Sequence, residues 1–76
     1  MTETLDPKVL EEERKKGLPK CKLVGEDGNA FNILGLVSKA LKKNGQPNLA
    51  KEFMQEATSG DYDHLLETAM EYVDVY

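Results

Sequence analysis

The chain has no tryptophan, one cysteine, one histidine and three prolines in 76 residues. With Cys21 alone, no intramolecular disulfide can form, which excludes a small disulfide-stapled scaffold. With His64 alone, every motif that needs two histidines is excluded, HExxH among them, and no CxxC pair is present. The phosphate loops GxGxxG and GxxxxGK[ST] are missing, and no segment has EF-hand spacing. No cofactor is therefore expected. No apolar run approaches 18 residues and the N-terminus carries no apolar leader-like stretch. Neither a membrane span nor a signal peptide is expected, and the chain reads as cytoplasmic.

What is present is a small acidic domain. Charged residues make up 32% of the chain and hydrophobic ones 39%, with a net charge of −4. That balance opposes attraction to a phosphate backbone and points away from nucleic acid, although Lys39, Lys42, Lys43 and Lys51 could form a local basic patch. A domain of this length supports a net stability of only roughly 3–5 kcal/mol. It leaves no room for a cleft between domains, which favours an interaction module or an oligomer over an enzyme.

Residues 1–19 form a segment distinct from the compact domain at 20–76. Asp6 and Pro7 are an N-cap and a first helical residue, and Leu5 and Leu10 are placed for a hydrophobic staple. Glu11–Lys15 and Glu12–Lys16 are spaced as i,i+4 pairs. Gly17 and Pro19 end this helix. Only Val9 and Leu10 give it an apolar face, so it must dock on the body or on a partner.

Lys20 to Gly25 reads as a short strand, followed by a turn through Gly28. Asp27 or Asn29 can cap a central helix reaching about Asn44, with Ala30, Phe31, Ile33, Leu34, Val37, Ala40 and Leu41 as its apolar set. Phe31 and Phe53 are both expected in the core. Gly35 inside this helix costs ~1 kcal/mol relative to alanine and suggests close approach of another backbone. A third helix over 48–58 carries Leu49, Ala50, Phe53, Met54 and Ala57, with Gly60 as a left-handed terminator. Asp61 caps a fourth helix carrying Tyr62, Leu65, Leu66, Ala69, Met70 and Val73. The alternation Tyr72-Val73-Asp74-Val75-Tyr76 suggests a final strand pairing with residues 20–25. The expected fold is α+β: a three-helix core, a two-stranded sheet and a peripheral N-terminal helix.

Chemistry-bearing residues gather in two turns. Glu26 and Asp27 lie in the first; Asp61, Asp63 and His64 lie in the second. Carboxylates with an imidazole could hold a divalent metal or a small ligand if the turns meet. The same residues serve equally as helix caps and dipole-favourable charges. Cys21, flanked by two lysines, and Ser59 are the candidate nucleophiles, each with an ordinary structural role as the simpler reading. Val9, Leu10, Tyr72 and Tyr76 are candidate interface residues.

The segments Leu23-Val24-Gly25-Glu26-Asp27-Gly28-Asn29-Ala30-Phe31-Asn32-Ile33-Leu34-Gly35, Glu56 to Leu66 and Met70 to Val75 together resemble a set of small uncharacterised bacterial proteins, some borne by phage or other mobile elements. The resemblance covers about residues 20–76. It implies a stand-alone domain and transfers no functional residue. The function expected from the whole is a non-enzymatic protein-interaction or accessory module, able to self-associate as a homodimer or to bind a protein partner. The alternative is a small-ligand or metal-binding protein built on the two turns.

Overall fold

The computed structural model describes residues 6–23, 25 and 28–76. The fold is α+β. In chain order it has α1 (Pro7–Arg14), β1 (Lys20–Cys21), α2 (Ala30–Lys43), α3 (Pro47–Ala57), α4 (Tyr62–Tyr72) and β2 (Asp74–Val75). Local signals start and stop the helices. Asp6, Asn29 and Asp61 each accept a backbone N–H at a helix N-terminus, from Lys8, Asn32 and His64 respectively. Gly45 follows the α2 C-cap at φ +73°, a left-handed conformation that ends the helix without the strain a side chain would bring. The staple partner Leu5 lies outside the described residues.

The core is formed where α2, α3 and α4 meet, around Val37, Leu41, Ala50, Phe53, Ala69 and Val73. Phe53 meets Tyr72 edge to face at a centroid distance of 5.6 Å. The strands pair in parallel, Lys20 opposite Asp74 and Cys21 opposite Val75, so the whole three-helix unit forms the connection between them. Bonds from Asp74 N to Pro19 O, Tyr76 N to Cys21 O and Leu23 N to Tyr76 O extend the pairing.

The strands are shorter than the sequence suggests, two residues each. Helix α4 continues through Tyr72 because Leu65, Ala69 and Val73 recur every four residues toward the core, and that packing outweighs the local β-propensity. Tyr72 is thus a helical residue, and it shares no strand face with Tyr76. Its hydroxyl donates to Glu52 Oε1 at 2.5 Å, and Arg14 Nη2 reaches the same oxygen at 2.5 Å.

Burial first, then the hydrogen bond and charge of Glu52, pushes the Tyr72 phenol well above its usual range, with Arg14 pulling the other way. A raised folded-state pKa adds stability that is complete below the unfolded value of about 10 and is lost as pH rises through the folded value. Thermal melts at increasing alkaline pH should therefore fall more steeply for the native chain than for Tyr72→Phe. Equal slopes would contradict this account of the phenol.

Helix α1 docks on α3 mainly through polar groups. Leu10 is buried, but so is Glu13, at 7% exposure. The Glu13 carboxylate accepts from Leu49 N at 2.8 Å and Asn48 Nδ2 at 2.7 Å, so it caps α3 from another helix. Gln46, at 1% exposure, donates from Nε2 to Glu13 O at 2.6 Å and to Gly17 O at 3.0 Å. Its own oxygen accepts from Asn44 Nδ2 at 3.0 Å. Lys16 turns to Gly45 O at 2.7 Å, and Lys15 pairs with Glu12 at 3.3 Å, in place of the i,i+4 pairs read from the sequence.

Two glycines differ from expectation. Gly35 faces open space: among the described residues a Cβ there would meet nothing within 4 Å, so no described backbone approaches it. Gly60 is not among the positive-φ glycines. Its role is room, since a Cβ would fall 2.8–2.9 Å from the His64 side chain. Gly60→Ala should therefore destabilise the fold by about 1–3 kcal/mol through overpacking. The same change made on His64→Ala should cost less but not vanish, because alanine removes Cγ and Cδ2 and keeps the Cβ at 2.9 Å. A calorimetric melt showing Gly60→Ala neutral in the native background would overturn this reading.

Candidate functional site

Gly28 and Tyr62, one residue from each polar segment, are in contact. Tyr62, the first residue of α4, donates its hydroxyl to Gly28 O, tying the turn before α2 to the start of α4. Glu26 and Asp27 lie outside the described residues. Asp61 Oδ1 accepts from His64 N at 2.9 Å, so one carboxylate oxygen is engaged as a cap. Asp63 is exposed in the first turn of α4, where the helix dipole favours it. Among the described residues no group of three His, Cys, Asp or Glu could hold a metal ion.

His64 and Ser59 lie together, Oγ to Nε2 at 3.3 Å, a proximity that residue spacing alone does not reveal. Both groups face the same carbonyl, which favours the ring as a donor over a base for the serine. His64 Nε2 also faces Glu56 O at 2.9 Å, and a carbonyl only accepts, so Nε2 carries the proton. The Ser59 hydroxyl itself donates to Glu56 O at 2.7 Å. An Nε2 that bears hydrogen cannot take the serine proton. The pair closes the C-terminal end of α3 by satisfying a carbonyl left free there.

Cys21 is buried, and burial raises its pKa, opposite to the lowering that flanking lysines could give an exposed thiol. The strand's alternation explains this, because Lys20 and Lys22 point to solvent and Cys21 points inward.

The surface itself shows a different feature. Phe31 is 87% exposed, although its place in the apolar set of α2 predicted a core residue. The buried residues of α2 are Ile33, Leu34, Val37 and Leu41. Phe31 belongs to a neighbouring stripe with Gly35, Ser38 and Lys42, spaced by four, three and four, which faces outward. Tyr62 and Met54 are also exposed on this side, at 43% and 38%. A hollow between α2 and the start of α4 is lined by Ala30, Phe31, Leu34, Ala57, Tyr62 and Leu65. A groove of about 470 Å³ between α2 and α3 is lined by Leu34, Gly35, Ser38, Met54 and three lysines, Lys39, Lys42 and Lys43. Leu34 lines both depressions.

The interface candidates from the sequence divide. Leu10 is part of the core and Tyr72 is held by Glu52, so both are used inside the fold. Val9 and Tyr76 remain exposed, at 37% and 58%. No described helix is long and apolar enough to cross a membrane. No family model, curated protein or solved structure matches this chain.

Proposed function

We propose that this chain is a small non-enzymatic interaction module that docks a partner protein on the outward face of α2. The observation that supports this most is Phe31, a large aromatic residue left 87% exposed on a helix whose core face is already complete. Tyr62 and Met54 extend the apolar area, and aromatic residues with methionine are the side chains that protein interfaces favour. The reading as a module rather than an enzyme is supported by the commitment of Ser59 and His64 to the end of α3 and by the burial of Cys21. A lone buried thiol also suits a reducing compartment such as the cytoplasm.

Sedimentation velocity at micromolar concentration, together with affinity capture of the tagged chain from its host, tests the proposal. A chain that associates with itself or with a partner through a Phe31-dependent contact supports it. A strict monomer that captures nothing contradicts it.

A further inference from the structure

We infer that the partner presents an acidic amphipathic helix, which lies along the groove between α2 and α3. This inference rests on the interaction-module reading and names the chemistry of its occupant.

Charge is the first argument. The chain is acidic, at −4, yet Lys39, Lys42 and Lys43 line one groove. Lys39 and Lys43 also line an adjoining hollow with Lys20 and Lys22. Five of the ten Lys and Arg residues thus surround the C-terminal half of α2. Among the described residues Arg14, Lys15 and His64 face carboxylates, whereas Lys39, Lys42 and Lys43 are exposed to solvent. The α2 dipole accounts for a cation in the last turn, which covers Lys42 and Lys43. It does not account for Lys39 a turn earlier, or for the apolar floor beneath all three.

Shape is the second argument. The groove floor is Leu34 and Met54, and its α2 wall is low at Gly35 and Ser38. Gly35 weakens an exposed helix interior, and among the described residues nothing lies within 4 Å of the space beside it. From Phe31 to Lys43 the face runs for about 18 Å, the length of a helix of about 12 residues. A helix with apolar residues at i, i+3, i+4 and i+7 would set them on Phe31, Leu34 and Met54, with Asp or Glu beside the lysines. Such rim pairs contribute mainly to encounter rate, partner choice and register. Nucleic acid fits less well, because the lysines flank an apolar floor and the chain as a whole repels phosphate.

The test is an NMR titration of the full ¹⁵N-labelled chain with two synthetic helices that share one Leu/Met pattern. In one the polar positions are Glu; in the other they are Lys. The Glu helix should shift the amides of Gly35, Ser38, Lys39 and Lys42, and bind about tenfold or more tighter than the Lys helix. On K39E/K42E the preference should reverse. The peptide comparison on the unmodified chain stands even if that variant misfolds. Equal binding of the two helices overturns the inference. So do shifts at Gly35 and Ser38 produced by oligo-dT, or by raising the protein concentration alone, which would mark nucleic acid or a second copy as the occupant. If the Glu helix fails while Phe31→Asp still abolishes partner capture, this inference falls and the interaction module stands.

Discussion

Phe31→Asp should abolish partner capture and leave the melting temperature unchanged or slightly higher. The two halves of that result come from one fact, that the ring is 87% exposed. Truncating an aromatic anchor at the centre of an interface costs about 2 kcal/mol or more, roughly a thirtyfold loss of affinity, and an aspartate adds the burial of an unpaired charge. The stability effect of an exposed substitution stays within about 0.5 kcal/mol. Position 31 lies in the first turn of α2, where a carboxylate interacts favourably with the helix dipole. A core phenylalanine would behave in the opposite way, since losing one costs about 3–5 kcal/mol, enough to unfold a domain this small. Circular-dichroism melts and affinity capture on the same preparation read both halves. A sharply lowered melting temperature would show that Phe31 holds the fold together and is no docking residue.

The largest effect on stability is expected at the α1–α3 joint. Gln46→Ala removes the one side-chain donor shared by Glu13 O and Gly17 O and leaves a gap at a site only 1% exposed. Glu13 O keeps the bond from Lys16 N at 3.2 Å, so Gly17 O is the carbonyl that loses its side-chain donor, at about 1–3 kcal/mol. A small domain loses about 4–8 °C per kcal/mol, so a fall of roughly 10–20 °C is expected. Glu13→Ala removes the cap on Leu49 N and the bond from Asn48, and should cost about 1–2 kcal/mol. Because both changes release α1 from α3, the double variant should melt only slightly below Gln46→Ala alone. Differential scanning calorimetry of the four proteins measures this. Additive losses would mean that Glu13 and Gln46 act separately and that α1 does not dock as a unit.

Much of the element order is legible from residues that act on their neighbours. Asp6, Asn29 and Asp61 are caps within three residues of their donors, and Gly45 ends α2 at the residue after its cap. Glu13 and Gln46 are not legible in this way. Glu13 resembles one more acid on a solvated helix and Gln46 one more turn residue. Their partners lie 29 to 36 positions away and exist only once α1 has folded back.

Phe31 is obscured for another reason. The apolar set of α2 covers two adjacent stripes, and periodicity cannot say which of them α3 and α4 will cover. Contact with those helices settles it in favour of Ile33, Val37 and Leu41. The polar turns show the converse: Asp61 and His64 are legible as candidates from spacing alone, and the structure shows Asp61 Oδ1 and His64 Nε2 each engaged at a helix end. The short-range approach of Ser59 to His64 depends on Gly60 leaving room, a steric fact invisible to residue spacing.

The central claim is that the outward face of α2 is where another protein sits. A photo-crosslinking amino acid placed at position 31, and in separate chains at position 67 on the exposed side of α4, tests it inside the host cell. Position 31 should yield one dominant crosslinked partner, and position 67 should yield none of it. Failure of position 31 to crosslink any protein, or the same products from both positions, would contradict the account.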